Sequence, residues 1–231
     1  MNEGHNSAEC WDEIYQQGLQ FNSYPFDFVV SFIFNNRPMD TAAENIRVLE
    51  VGCGYCNNLF FVAENGMAAY GIDGSGTAID KARELAEAKG LTVGLEVGDL
   101  RELPYEENYF DLIIDRSAIG QNPLEDQRMI LAECNRVLKP GGRLLYSPYT
   151  DSHSSARDGK LMKGNFVDGI ESGLKDVGPV GFVGWLDIRE SFNNSEKWQI
   201  LQAVRREELD FVRASTECFG IWCIVAEKAR S

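Results

Sequence analysis

Short apolar runs alternate with longer amphipathic segments through the middle of the chain. The first run, Arg47–Val51, contains β-branched residues and is closed by glycine, which predicts a buried parallel strand. Four similar runs predict further strands at 68–73, 92–97, 110–115 and 143–147. Apolar positions with helical spacing predict intervening helices at 59–66, 75–90 and 124–138. This alternation indicates an α/β domain built on a mostly parallel sheet.

The two ends of the chain carry weaker patterns. Trp11, Ile14 and Tyr15 have helical spacing, so the aromatic-rich first 45 residues predict either a helix on the sheet edge or a lid over a pocket. Residues 149–194 are rich in glycine and show little periodicity, which predicts an irregular lid or binding loop. A helix at 194–208 and antiparallel strands at 209–217 and 220–227 are predicted to close the sheet.

A tight turn at residues 52–54, called the glycine turn below, follows the first predicted strand. Gly52 and Gly54 let the backbone approach a ligand closely, and the helix that follows offers free N–H groups. Asp73 ends the next strand, where a βαβ unit places a carboxylate over the ribose of a bound nucleotide or nucleoside. The turn and the carboxylate together predict a nucleoside-containing cofactor.

Further carboxylates follow the neighbouring strands. Asp99 either caps a turn or accepts a hydrogen bond from a purine amine, in which case the Leu100 N–H would bind a ring nitrogen. Asp115 ends the fourth predicted strand, and Glu50 lies within the first. A pocket bordered by such groups suits a cation better than a pyrophosphate. The alternative interpretation is that several of them are helix caps or surface charges.

Composition and charge exclude several classes of protein. The net charge of -14, from 22 basic and 36 acidic residues, would repel a polyphosphate backbone, so no nucleic acid partner is expected. No apolar run approaches the ~18 residues of a membrane span, and the N-terminus lacks the pattern of a signal peptide. We therefore expect no membrane partner and a cytoplasmic location.

Six cysteines without a secretion signal indicate reduced thiols. Cys53 and Cys56 form a C-x-x-C pair at a helix start, so a thiol–disulfide oxidoreductase stays an alternative. The other interpretation is that both are small residues that fill the turn. Because the chain has no second C-x-x-C and no paired histidines, no metal site is predicted.

Taken together, these motifs resemble those of the class I S-adenosylmethionine-dependent methyltransferases. The resemblance covers residues 46–148 and rests on the segments VLEVGCG (48–54), GIDGS (71–75), GDL (98–100), FDLI (110–113) and RVLKPGG (136–142). It implies a seven-stranded, mostly parallel, doubly wound sheet of order 3-2-1-4-5-7-6, with strand 7 antiparallel and helices on both faces. It also implies S-adenosylmethionine as the cofactor. The first 45 residues are loosely similar to those of small-molecule methyltransferases, which implies O- or N-methylation of a small acceptor.

The resemblance assigns provisional roles along the whole chain of 231 residues. A single domain is expected, with an N-terminal helical lid (1–45), a cofactor-binding core (46–148), an irregular substrate lid (149–194) and a closing helix and hairpin (195–231). The family commonly has a third glycine where this chain has Cys56. The expected cofactor-binding residues are Glu50, Gly52, Cys53, Gly54, Asp73, Gly74, Ser75, Asp99, Leu100 and Asp115.

Catalysis of methyl transfer requires the nucleophile to be held in line with the departing sulfur and, for some acceptors, a base. His153 follows the fifth predicted strand and is a candidate base at the pocket mouth, although it could be a solvated loop residue. Asp115 is the rival base. Other polar groups expected at this edge are Arg116, Ser117, Gln121, Tyr149 and Asp151. An NAD-dependent dehydrogenase and a noncatalytic cofactor-binding protein stay open as alternatives.

Overall fold

Five parallel strands form the centre of the computed structural model, which describes residues 7–175, 177–212 and 217–230. The central strand β1 pairs with β2 on one side and with β4 on the other, and β3 and β5 lie outside these. The five strands are β1 (Arg47–Val51), β2 (Ala68–Asp73), β3 (Val93–Val97), β4 (Phe110–Asp115) and β5 (Leu138–Tyr146). All five carboxyl ends therefore meet at one edge of the sheet, as in Rossmann-like α/β folds.

Helices cover both faces of this sheet. They are α1 (Ser7–Gln16), α2 (Asp27–Asn36), α3 (Asn57–Glu64), α4 (Gly76–Lys89), α5 (Leu124–Val137) and α6 (Trp185–Ser191). Val48 and Leu112 pack on one face with α2, α3 and α4, whereas Leu49 and Ile113 pack on the other with α5 and α6. Burial on both faces explains why these strands read as continuous apolar runs. Among the described helices, none combines the length and apolarity needed to cross a membrane.

The carboxyl-terminal hairpin differs from the prediction. β10 (Trp198–Leu209) occupies nearly the whole segment predicted as a helix, and it pairs along its length with β11 (Cys218–Lys228). The helix prediction at 194–208 is wrong because backbone pairing with β11 overrides the preference of Gln, Ala, Arg and Glu for helices. In the strand predicted at 209–217, Leu209 is the last residue of β10, whereas 210–212 and Glu217 are not in a strand. Residues 213–216 lie outside the described ranges.

The described part of the chain contains eleven strands rather than seven. The segment predicted to be irregular contributes β6 (Tyr149–Thr150), β7 (Lys160–Leu161), β8 (Phe166–Asp168) and β9 (Val180–Val183), which extend the sheet beyond β11. Strands this short carry no detectable periodicity, and the predicted count was therefore wrong. Seven of the strands pair in the expected order, β3-β2-β1-β4-β5-β11-β10, and β11 is antiparallel to β5 and β10. The order differs in that β11 also pairs with β6, through which the sheet continues to β9, β8 and β7.

The side chain of Asp111 joins the amino-terminal ends of three strands. Its carboxylate accepts hydrogen bonds from the Arg47 N–H (2.9 Å) and from Lys139 Nζ (2.7 Å), and the residue is only 8% exposed. The sequence predicted a structural role for Asp111 at a strand start, and these contacts confirm it. β1, β4 and β5 are thus held in register at the end opposite the cavity described below.

We expect Asp111→Ala to lower the free energy of unfolding by about 1–3 kcal/mol, because the substitution leaves a buried amide and an ammonium group without their acceptor. Urea titration followed by circular dichroism measures this. Asp80→Ala is the matched control, since Asp80 forms only an exposed ion pair with Arg83. A loss in Asp111→Ala no larger than in the control would contradict this role.

Candidate active site

A cavity of about 320 Å³ opens at the carboxyl ends of the parallel strands. Its lining comes from the turns that follow β1, β2, β3 and β4, from Tyr149 in β6, and from α1 and the loop that precedes α2. Open α/β sheets bind their ligands at this edge. The cavity therefore coincides with the position that the sequence motifs predicted.

The glycine turn passes unusually close to two neighbouring segments. Gly52 and Gly54 have φ of +67° and +48°. A Cβ at position 52 would lie 2.1 Å from the Ala118 Cβ, and one at position 54 would lie 2.6 Å from the Tyr15 hydroxyl. Cys56 also adopts a left-handed conformation, with φ of +64°, and no side chain caps the start of α3. The start of α3 thus leaves helix N–H groups without a side-chain cap beside the cavity.

Asp73 fixes the turn through hydrogen bonds from two backbone amides. Its Oδ2 accepts from the Gly54 N–H at 2.8 Å, and its Oδ1 accepts from the Ser75 N–H at 2.9 Å. Burial raises the pKa of Asp73, while the backbone hydrogen bonds act in the opposite direction. Because a carboxylate offers about four acceptor positions, Asp73 can also bind the hydroxyl groups of a ligand.

Glu50 is a buried carboxyl group with one unpartnered oxygen. Its Oε1 accepts a hydrogen bond from the Asn58 side chain at 2.6 Å, whereas Oε2 has no partner within the described residues. Burial raises the pKa of Glu50 to about 8, so the group is mostly protonated at neutral pH. A ligand cation placed beside Oε2 would favour the charged carboxylate.

At the other end of the cavity, Asp99 is engaged by a neighbouring arginine. Its carboxylate accepts hydrogen bonds from the Arg101 guanidinium (2.7 Å at the shortest) and from the Arg101 N–H (2.8 Å). The arginine side chain lowers the pKa of Asp99. The Leu100 N–H has no acceptor among the described residues and faces this end of the cavity lining. Asp99 is thus a turn-stabilising group, and a ligand amine would have to share it with Arg101.

Helix α1 lies against the turns after β1 and β2. Asp12 accepts hydrogen bonds from the Ser75 hydroxyl and from the Thr77 N–H (3.0 Å), which ties α1 to the start of α4. The Ala8 Cβ would lie 2.5 Å from a Cβ at Gly74. Asp12 lay inside a predicted helix, and no sequence signal identified it as a tether to α4.

Residues 48–142, which include the turns around this cavity, match the family model described as "Methyltransferase domain". This match supports the resemblance to the class I S-adenosylmethionine-dependent methyltransferases over that part of the chain. Their characteristic glycine turn and the acidic residue at the end of β2 are the features found here at residues 52–54 and at Asp73.

Individual relatives support this assignment over different lengths. Phosphoethanolamine N-methyltransferase 1 of Arabidopsis thaliana is 31% identical over 180 residues, which cover 75% of this chain and 34% of the plant protein. The ubiquinone biosynthesis O-methyltransferase of Coxiella burnetii is 34% identical over 43% of this chain and 42% of its own length. A solved S-adenosylmethionine-dependent methyltransferase of Methanosarcina mazei shares the fold, with a TM-score of 0.70 at 16% identity over 90% of this chain and 100% of its own. The chain spans less than half of the length of the curated relatives it matches.

Two residues expected in the methyltransferase cofactor site lie behind it. Ser75 is fully buried, where its hydroxyl caps α4 by accepting from the Ala78 N–H at 3.0 Å. Asp115 is also fully buried, and it accepts from the N–H groups of Ala118, Ile119 and Ser147 at 2.9, 2.9 and 3.1 Å. Burial raises the pKa of Asp115 to about 6. Asp115 does not line the cavity, because it lies fully buried behind the turns that do.

His153 is neither at the cavity mouth nor in a solvated loop. It is 3% exposed, and its ring packs against Tyr149, Phe182 and Phe219 at centroid distances of 5.2–5.6 Å. Its Nδ1 accepts from the Ser155 N–H at 3.1 Å. Burial lowers the pKa of His153 to about 4. Both sequence interpretations of His153 were therefore wrong, because the short strands β6 and β9, which the sequence did not reveal, enclose it.

The C-x-x-C pair does not have the environment of a redox dithiol. Cys53 and Cys56 are 4% and 0% exposed. The hydrogen bond with Cys56, together with burial, raises the pKa of the Cys53 thiol well above its usual range. Reactive thiols need the opposite shift and access to solvent. The interpretation of both cysteines as small residues that fill the turn is the one that fits.

Among the other polar groups expected at this edge, Arg116, Ser117, Gln121 and Tyr149 line the cavity. Asp151 instead lies near Arg205, with 3.9 Å between its Oδ1 and Nη1 of the arginine, outside the lining. The residue that the sequence did not indicate is Asn58, which orients Glu50. It lies on the first turn of α3 and carries no motif of its own.

We expect Gly52→Ala to lower the free energy of unfolding by about 2 kcal/mol or more, since the new Cβ would overlap Ala118 and the positive φ disfavours an L residue. Gly76→Ala is the matched control, because space is open around Gly76 in the first turn of α4. Thermal unfolding of both variants measures the difference. Equal stability of the two would show that the turn is not closely packed.

The buried His153 predicts a pH dependence of stability. Its pKa falls from ~6.5 in the unfolded chain to about 4 in the folded one. The unfolded state therefore binds more protons between these values, and stability falls as pH drops from ~6.5 to 4. We expect His153→Gln to reduce this slope by up to about 1.4 kcal/mol per pH unit in urea titrations across that window. An unchanged slope would place His153 in solvent.

Proposed function

We propose that this chain transfers a methyl group from S-adenosylmethionine to a small-molecule amine or hydroxyl. The observation that carries the proposal is the buried Glu50 Oε2, a lone unpartnered carboxyl oxygen beside the glycine turn. A buried polar atom without a hydrogen-bond partner is costly, so the unpartnered Oε2 calls for a ligand donor at this point. The ammonium group of S-adenosylmethionine is such a donor.

The remaining lining residues fit the other parts of the cofactor. Gly52, Cys53 and Gly54 would lie under its methionine part, with the free N–H groups at the start of α3 available to the carboxylate. Asp73 would accept from the ribose hydroxyls with its remaining acceptor positions. Gly74 would border the adenine, and the Leu100 N–H would bind a ring nitrogen.

The cofactor supplies an activated methyl group on a positively charged sulfur. The protein therefore has to orient the acceptor, exclude water and receive any released proton. We propose that α1 and the aromatic residues of the first 45 positions act as the lid, because Trp11 and Tyr15 line the cavity above the glycine turn. Residues 149–194 would close the opposite side, and 195–231 would complete the domain.

The acceptor class is inferred from the relatives, whose names give N-methylation of phosphoethanolamine and O-methylation in ubiquinone biosynthesis. This chain corresponds to only part of those proteins, so it need not act on the same compounds. The excess of acidic over basic residues still argues against nucleic acid as the substrate. A cytoplasmic location stays a prediction. A protein that binds the cofactor but transfers no methyl group is the alternative.

The first test is whether cofactor binding is linked to proton release from Glu50. In the free protein the pKa of Glu50 is about 8, and an adjacent ammonium would lower it. Binding of S-adenosylhomocysteine at pH 7 should then release up to one proton, and affinity should rise as pH increases from 6 to 8. Calorimetry in buffers of different ionisation enthalpy measures the released proton directly.

Two variants sharpen this measurement. Glu50→Gln should bind at least tenfold more weakly and release no proton, while Glu96→Gln, on the exposed face of β3, should behave as the native protein. Native protein that binds the nucleoside with the same proton stoichiometry as Glu50→Gln would contradict the role of Glu50. Native protein that does not bind it at all would contradict the proposed function.

A further inference from the structure

The charge of the cavity lining changes sign along the sheet edge. On the side of β1, β2 and β3, the lining contains the carboxyl groups of Glu50, Asp73 and Asp99, and Arg101 there is paired with Asp99. After β4, the charged lining residue among those described is Arg116, and its neighbours in the lining are neutral. The cationic cofactor suits the first side, so the second side needs a different ligand.

Arg116 is held in place without using its donors. Its guanidinium carbon lies 4.1 Å from the centroid of the Phe26 ring. Phe26 is fixed in turn, because its N–H donates to the Asn58 side chain at 3.1 Å. Nε of Arg116 is buried without a partner, and none of the arginine's nitrogens makes a hydrogen bond or an ion pair within the described residues. A guanidinium oriented in this way can bind two oxygens of one carboxylate or phosphate group.

A second unsatisfied polar group lies in the same short segment. Gln121 is 4% exposed and lines the cavity, and its Oε1 has no hydrogen-bond partner among the described residues. Asn122, by contrast, binds the carbonyl oxygens of Ala118 and Ile119. Buried amides of this kind are normally satisfied. Arg116 and Gln121 thus form an incomplete polar site beside the cofactor side of the cavity.

We propose that the methyl acceptor carries an acidic group, a carboxylate or a phosphate, which forms an ion pair with Arg116 while Gln121 binds a neighbouring polar atom. This inference rests on the proposed function, because the ligand of this site is the second substrate. The cofactor's own carboxylate is the competing anion. The uncapped start of α3 already offers N–H groups to that carboxylate, which leaves Arg116 for the acceptor.

Another role for Arg116 would be that of a counter-charge to the carboxyl groups of Glu50 and Asp115. Its positive charge is one of the influences that lower the pKa of both groups, against the larger effect of burial. A counter-charge needs only a cation, whereas bidentate binding of a carboxylate or phosphate needs the guanidinium fork. Arg116→Lys therefore separates the two roles, because it keeps the positive charge and removes the fork.

The test is a protein-observed NMR titration with inorganic phosphate and with benzoate at constant ionic strength, with and without saturating S-adenosylhomocysteine. We expect at least one anion to bind the native protein with a Kd at least tenfold lower than in Arg116→Gln and at least threefold lower than in Arg116→Lys. Arg128→Gln is the control, because Arg128 is exposed and paired with Glu190. Binding of phosphate alone, or of benzoate alone, identifies the acidic group.

The outcomes that overturn the proposal are distinct from a failure of the proposed function. If S-adenosylhomocysteine binds but neither anion depends on Arg116, the acceptor proposal is wrong. If Arg116→Lys weakens the binding of S-adenosylhomocysteine tenfold and leaves the affinity for both anions unchanged, Arg116 binds the carboxylate of the cofactor instead. If native protein does not bind S-adenosylhomocysteine, the proposed function is wrong. The anion titrations without the nucleoside still decide whether Arg116 forms an anion site.

Discussion

The two hydrogen bonds that Asp73 accepts are the interaction on which the site depends. They join the Gly54 N–H, in the turn after β1, to the Ser75 N–H, in the turn before α4. Without this buried carboxylate, two turns that meet at the cavity would lose their common acceptor. Ser75 carries the constraint further, because its hydroxyl bonds to Asp12 and so positions α1 over the same turns.

Asn58 extends the same network across the cavity. Its amide donates to Glu50 at 2.6 Å, and its carbonyl oxygen accepts from the Phe26 N–H at 3.1 Å, so one side chain orients both Glu50 and the ring beneath Arg116. The carboxyl group of Glu50 and the guanidinium of Arg116 are therefore linked through Asn58 and Phe26. A rigid arrangement of opposite charges favours a cationic cofactor and an anionic acceptor meeting between them.

The sequence predicted the central strands and the glycine turn because those features depend on local signals. Buried parallel strands need continuous apolar runs, and Gly52 and Asp73 occupy positions that few other residues could take. β10 was predicted as a helix because its composition favours helices, and only pairing with β11 decides otherwise. The positions of Asp115 and His153 outside the cavity lining were not predicted for a related reason. Their surroundings come from distant segments, which spacing along the chain does not reveal.

A crystal structure of the protein with S-adenosylhomocysteine tests the proposed site most directly. We predict that the amino group of the ligand lies within hydrogen-bonding distance of Glu50 Oε2, the ribose hydroxyls at Asp73 and the adenine beside Leu100. Arg116 should face space on the β4 side that the ligand leaves open. A ligand that contacts neither Glu50 nor Asp73, or that fills the space beside Arg116 with its own carboxylate, would contradict it.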